Sequence, residues 1–326
     1  MTEAPGMATT RPTTRPTIRK ASFAADFARF GPHAEPSLTL TESQAYTRGL
    51  AASHYENFPV LTRVLPRAMR QPIADVYAFS RWADDLGDEV ESADDSLALL
   101  DWWQAELDRC YDGDTSHPVF RALRSTIETH DVPKQPFADL IAAFRQDQTV
   151  TAYDTAEQVA DYCRRSANPV GRLVLHLASA ATEANVADSD AICTGLQLAN
   201  FCQDVGRDAA IGRRYLPLEE LDRFGVDAAE LSGSTSSSAF RELLASEVAQ
   251  AEALLRGGRE LPRRLPFRVG LTVDLFRRGG LAICRRIRGC EFRVLEARPT
   301  VGKRDAVAAL GAAVASRAYP RVGGRT

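Results

Sequence analysis

From Thr41 onward, apolar residues recur at the three- and four-residue spacing of helices and almost nowhere alternate as a half-buried strand requires. No other feature constrains the fold as much. Clusters of Pro, Gly and Ser interrupt this rhythm at intervals suited to helices of about ten to twenty residues. The spacing predicts helices near 41–56, 70–90, 94–112, 117–130, 135–149, 155–163, 168–182, 188–210, 239–256 and 268–288, hence an all-α fold. The stretches LSGSTSSSAF and GGRELPRRLP read as loops rather than domain linkers, because helical character continues on both flanks. No internal repeat of about 20 to 50 residues is present.

With 326 residues, 44% apolar and 25% charged, the chain can bury a large core. A formal charge of −3 gives no electrostatic reason to expect a nucleic-acid partner. The charge is nevertheless uneven, with fourteen Lys and Arg against four Asp and Glu from Arg256 to Arg304. Such a block suits either an anionic lipid surface or a solvated basic face. The six cysteines form no CxxC or CxxH pair, which fits a reducing cytoplasm, and the five histidines lack the HxxxH and ExxH spacings of zinc and di-iron sites. No apolar run approaches the roughly 20 residues that span a bilayer, so contact with a membrane would be peripheral. The opening residues lack the apolar region of a secretory signal, and 1 to about 36 are expected to be mostly disordered. The folded domain is placed at 37–305, followed by a tail at 306–326.

Two helices carry acids where a helix gains little from them. In YAFSRWADDLGDE, Val76, Phe79, Ala83, Leu86 and Val90 form one stripe, and Tyr77, Arg81, Asp84 and Asp88 another nearly opposite. Asp84 with Asp88 and Asp85 with Glu89 place like charges at i,i+4, which costs a few tenths of a kcal/mol each. In QLANFCQDVGRDAAIGRRYLP, Gln197, Asn200, Asp204 and Asp208 fall within about 80° of one another, flanked by Leu196, Leu198, Phe201 and Val205. A polar stripe between apolar edges is hard to keep in water, and ionised carboxylates taken out of water need counter-charge. A hard divalent cation would supply it and could grip a diphosphate at the same time. Arg81, Arg213, Arg214 and Tyr215 lie close enough in sequence to take up remaining diphosphate oxygens.

With both motifs present, residues 43 to 303 resemble the squalene/phytoene synthase branch of the trans-isoprenyl diphosphate synthases. The resemblance implies a single-domain helical isoprenoid synthase fold with a central cavity. It implies metal ligation by Asp84, Asp85 and Asp88 from one helix and by Asn200, Asp204 and Asp208 from the other. Diphosphate contacts would come from His54, Tyr77, Arg81, Arg213 and Tyr215, with Phe58, Phe201 and Gln197 lining the cavity. The segment YCRRSANPVGRL places Tyr162 where the family has a catalytic tyrosine, which would steer either the leaving diphosphate or an attacking water. Gln203 stands where many members carry arginine, and SANP replaces the usual Val-Ala-Gly-Thr type of sequence. Both departures argue against a plain phytoene or first-step synthase.

HYENFPV, NFCQDV and RPTVGK are most similar to the hydroxysqualene synthase subgroup of the hopanoid pathway. That likeness implies ionisation of presqualene diphosphate, rearrangement of the cation and capture by water. Mg²⁺ is the implied cofactor, with Mn²⁺ as an alternative and no NADPH. The implied partners are an isoprenoid diphosphate, an upstream presqualene diphosphate synthase and a downstream reductase. The alternatives are NADPH-dependent squalene synthase, presqualene diphosphate synthase and phytoene synthase. Outside enzymes, the alternative is an assembly or lipid-surface binding protein on the same fold.

Overall fold

A computed structural model describes residues 16–54 and 64–302, together with Ala313. The described residues form two compact units: those of Met1–Pro59 and Ala68–Val150 belong to the first, and those of Val60–Arg67 and Thr151–Thr326 to the second. The described residues contain no strand, only the isolated bridges Ile18–Val90 and Ala152–Arg214.

In the first unit α1 (Ala21–Phe30), α2 (Leu40–His54), α3 (Arg70–Asp88), α4 (Ala93–Asp112), α5 (Pro118–His130) and α6 (Gln135–Gln146) follow one another. Helix α3 packs on α2, α4, α5 and α6. Of its expected apolar stripe, Phe79, Ala83 and Leu86 are buried and Val76 is half-buried, while Trp82 joins them and Val90 is buried just beyond the helix end. Phe79 meets Phe137 edge-on at 4.9 Å, and Trp82 stacks on Trp103 at 5.4 Å. Aromatic pairs of this kind add to the stabilisation that burial alone provides. A carboxylate in this core, Asp75, accepts from the hydroxyls of Thr47 at 2.6 Å and Thr126 at 2.7 Å and from Gln71 Nε2 at 2.7 Å. It thereby ties α2, α3 and α5 together.

Helix α1 corrects the expectation of disorder through residue 36. Phe23, Phe27 and Phe30 fall on successive turns of α1 and are all buried. Phe23 meets Trp82 at 5.2 Å, and Phe30 meets Tyr46 at 4.9 Å. Three phenylalanines on one face bury enough apolar surface to order a segment that is polar by average composition.

The second unit contains α7 (Ala156–Ser166), α8 (Asn168–Leu177), α9 (Glu183–Ala210), α10 (Leu218–Phe224), α11 (Ser238–Gly257), α12 (Leu261–Arg264) and α13 (Phe267–Gly289). The 28-residue α9 is its spine and packs on α7, α8, α11 and α13. Its start is fixed by Thr182, whose side chain accepts the Asn185 N–H, and α7 begins in a capping box made by Thr155 and Gln158. Gly195 lets α9 and α11 approach closely, because a Cβ there would stand 3.0 Å from the Ala251 carbonyl oxygen. The GGRELPRRLP stretch differs from the expected loop: it forms a 3-10 turn at Gly258–Glu260 and then α12.

Much of the basic block is engaged in internal pairs. Arg277 is buried against Asp274, Arg288 forks onto Glu252, and Arg264 reaches Asp188. Among the described residues, no helix is long and apolar enough to cross a membrane. All six cysteines are free thiols.

Candidate active site

The last two turns of α3 carry the first acidic motif. Asp84 is half-buried, Asp85 is buried and Asp88 is exposed. Arg81 lies one turn earlier, so a helical backbone alone brings it within reach of both i+3 and i+4. Its Nη1 donates to Asp84 Oδ2 at 2.9 Å, and its Nε and Nη2 fork onto Asp85, the former at 3.0 Å. Lys20, which precedes α1, approaches Asp85 Oδ1 at 3.4 Å. Asp85 is therefore well compensated and Asp84 less so. Burial, reinforced by the charge of Asp88, raises the Asp84 carboxyl to about 6 against the pull of Arg81 and Lys20. Tyr77 stands one turn before Arg81, partly buried and packed against Ala51 and Ala74.

In the second unit, the C-terminal turns of α9 carry the other motif. Phe201 and Val205 are buried as the flanking apolar residues should be, Asp204 is buried between them, Asp208 and Gln197 are half-buried and Asn200 is exposed. Asp204 is forked by Arg298, whose Nη2 stands 3.1 Å from Oδ2, while Arg207 lies 3.8 Å from Oδ1. Burial and the Asp204 charge raise the Asp208 carboxyl to about 6, with Arg213, Arg207 and Arg298 opposing. Arg213 Nη1 lies 3.5 Å from the Tyr215 hydroxyl. Arg214 has a different part: its Nη1 donates to the carbonyls of Tyr153 and Leu216, both at 2.7 Å, and so staples the loop beyond α9.

An aromatic wall adjoins this second motif. Phe201 and Tyr215 stack at 3.9 Å with 5° between their planes. Tyr162, buried on α7, stands 5.8 Å from the Tyr215 ring and 6.3 Å from that of Phe201. The group is completed by Tyr153, 5.5 Å from Tyr162 and 5.8 Å from Tyr215. Reading the sequence missed Tyr153; the only signal was its place just before the Thr155 cap of α7. A hollow lined by Phe201, Val205, Asp208, Arg213 and Tyr215 brings two rings of this wall and one of the acids to one place within the unit.

His54 ends α2, but its side chain lies outside the described residues, as does Phe58. Among the described residues no group of three or more His, Cys, Asp or Glu side chains is disposed to hold a metal ion by itself. The donor set nonetheless fits a hard divalent cation. Every candidate ligand offers oxygen, and burial is the main cause that raises the Asp84 and Asp208 carboxyls, an effect a bound cation would oppose. Magnesium commonly takes only one or two carboxylates and completes its shell with water and substrate phosphate.

The sequence profile of the squalene/phytoene synthase family matches residues 51–305. The chain is 40% identical over 230 residues to the hydroxysqualene synthase of Sinorhizobium fredii, covering 69% of this chain and 77% of that one. It is 31% identical over 262 residues to the 15-cis-phytoene synthase of a Synechocystis species, covering 76% and 78% respectively. Among solved structures it is similar to squalene synthase HpnC from Alicyclobacillus acidocaldarius, with 42% identity, a TM-score of 0.75 and coverage of 78% of this chain and 95% of that one.

Proposed function

Because the chain belongs to the squalene/phytoene synthase family, a family of enzymes acting on isoprenoid diphosphates, we propose that it converts presqualene diphosphate to hydroxysqualene with Mg²⁺ or Mn²⁺ and without NADPH. The observation that carries this reading is the pair of acidic turns on α3 and α9, each with its carboxylates set among guanidiniums, the second of them beside a wall of four aromatic rings. Similarity to a hydroxysqualene synthase supports the choice of product.

Asp84 and Asp88 on α3, and Asn200, Asp204 and Asp208 on α9, would each offer oxygen to a divalent metal. A bound divalent ion supplies Lewis-acid stabilisation of the leaving diphosphate. Asp85, whose oxygens are already taken by Arg81 and Lys20, serves better as the anchor that aims Arg81 than as a further ligand. Arg81, Tyr77, His54, Arg213 and Tyr215 bind and orient the diphosphate. As the C–O bond breaks, the electron pair leaves with the diphosphate and a cyclopropylcarbinyl cation remains. Any ring face of the wall of Phe201, Tyr215, Tyr162 and Tyr153 that is left open beyond their mutual stacking would be worth about 0.5 to 2 kcal/mol to such a cation. After rearrangement, water adds to the cation and loses a proton. Tyr162, buried against Tyr215, is placed to steer that water or the departing diphosphate. An upstream presqualene diphosphate synthase would supply the substrate, and a reductase would consume the product. So apolar a product would leave readily to a membrane surface, which makes peripheral docking useful.

Purified protein given Mg²⁺ and presqualene diphosphate, with NADPH omitted, should release diphosphate and form hydroxysqualene, identified by mass spectrometry. The reading fails if squalene forms only with NADPH, if presqualene diphosphate accumulates from farnesyl diphosphate, or if a C20 diphosphate yields phytoene.

A further inference from the structure

Helix α3 ends without the features that commonly close a helix. Its neighbours α4 and α5 turn off through left-handed residues, Gly113 at φ 93° and Asp131 at φ 49°, whereas Glu89 after α3 stays right-handed at φ −97°. The last turn of α3 holds no basic residue, and Asp84, Asp85, Asp88 and Glu89 crowd the end where the helix dipole is already negative. The last carbonyls of a helix have no partner within it, so this end needs donors and positive charge from elsewhere.

They come chiefly from the segment that leads into α1. The Arg19 N–H donates to the Glu89 carbonyl at 2.8 Å, and the Glu91 N–H returns a bond to the Thr17 carbonyl at 3.1 Å, on either side of the Ile18–Val90 bridge. The Arg19 guanidinium reaches over the same end, with Nη1 3.4 Å from the Asp88 carbonyl and Nη2 3.5 Å from that of Glu91. The Gly87 carbonyl is served from α4, by the Ser96 hydroxyl at 3.4 Å.

The segment grips α3 at a second height as well. Phe23 lies edge-on to Trp82 at 5.2 Å, and Trp82 Nε1 donates at 3.0 Å to the hydroxyl of Tyr46, whose ring meets Phe30. Trp82 stands before the acids and the carbonyls of Asp88 to Glu91 follow them, so the two grips bracket Asp84 and Asp85 and end on Asp88. Helix ends fray, and an acidic end held at one point only would let its carboxylates wander. Neither Arg19 nor α1 lies within the residues that the family profile matches, which begin at 51.

We propose that residues 17–30 are a brace that caps α3 and holds its acidic turn in the geometry that takes a divalent cation, with Arg19 as the positioning residue. The proposal rests on the reading of that turn as metal-binding. Arg19 acts through the backbone carbonyls of α3, not on the metal or the diphosphate.

The test is calorimetric titration of the substrate-free, full-length protein with Mg²⁺, read beside hydrogen exchange over 86–91 and the Mg²⁺ dependence of turnover. Arg19→Ala should raise exchange there and weaken Mg²⁺ binding by about fivefold, the combined scale of a hydrogen bond and a charge at a helix end. Half-maximal turnover should need correspondingly more Mg²⁺, a shift in the midpoint rather than in the maximal rate. Arg19→Lys, which keeps the charge at the helix end, should recover much of the loss. Phe23→Ala combined with Phe27→Ala should undock α1 and weaken Mg²⁺ binding at least as much; if that pair folds poorly by circular dichroism, Arg19→Ala decides alone. Mg²⁺ affinity within about twofold of wild type in Arg19→Ala, whatever the exchange shows, would make the segment a stabilising appendage and overturn the proposal. Absence of both Mg²⁺ binding and Mg²⁺ activation in the wild type would instead overturn the metal reading beneath it.

Discussion

The acidic turns of α3 and α9 carry similar residues but obtain their counter-charge by different routes. On α3 the main partner is Arg81, three and four residues before the acids it holds, with Lys20 added from the segment that leads into α1. On α9 the fork onto Asp204 comes from Arg298, at the far end of the second unit's chain. The first arrangement follows from helical spacing and survives wherever the helix survives. The second exists only while the segment after α13 is folded back over α9. Local pairing depends on the helix alone, whereas the Arg298 pairing depends on contacts between residues far apart in the chain.

Four measurements would break or sharpen that comparison. Asp84→Ala and Asp204→Ala should each reduce turnover by roughly a thousandfold, the loss of several kcal/mol of metal-derived stabilisation, while leaving the helical circular dichroism intact. A large loss in only one of them would show that only one of the two turns serves catalysis. Asp75→Ala supplies the contrast within α3, because this acid is fully satisfied by Thr47, Gln71 and Thr126. Leaving those buried donors without an acceptor should cost about 1 to 3 kcal/mol in urea unfolding, an effect Asp84→Ala should not show.

Asp84→Asn should stabilise the metal-free protein at pH 7.5 by about 1 kcal/mol, the pKa effect being discounted for a side chain that is 38% exposed. The folded carboxyl titrates near 6 and an unfolded one near 3.9. Its ionised form therefore works against folding above about pH 6 and costs nothing below about pH 4, so the gain should vanish at pH 4. A gain that persists at pH 4 would mean that the cost of ionising Asp84, set by burial and reinforced by Asp88, is not its cause. The smallest pair of effects separates the two routes directly. Glu296→Ala should loosen the segment after α13, which Glu296 ties to Ser236, seen as faster hydrogen exchange at 297–300, whereas Lys20→Ala should change stability by less than about 0.5 kcal/mol and leave exchange on α3 unaltered.

Much of this protein was legible in advance. The helix boundaries expected at 94–112, 117–130 and 239–256 fall within a residue of α4, α5 and α11, because caps such as Ser92, His117 and Ser237 stand where the periodicity begins. Asp84, Asp88, Asp204 and Asp208 stood out because acids at i,i+4 need a reason. Helix α1 was hidden because its three phenylalanines lie in a segment rich in Thr, Pro and Arg. Tyr153 was hidden for another reason: it lies in no helix, and the rings it meets at Tyr162 and Tyr215 are brought to it by the fold.

Sequence by itself determined most of the helices, the acids on their faces and the Arg81 pairing, since each depends on interactions within one or two helical turns. It also placed the chain in its family through motifs that are short and local. Tertiary structure alone decided which cation reaches Asp204, which rings surround Tyr215 and what Gln203 is for. Those contacts join residues far apart in the chain, so no spacing encodes them. Gln203 shows the difference most plainly: in the sequence it is an arginine missing beside Asp204, and in the fold its hydrogen bond to Pro299 helps set Arg298 on that same aspartate.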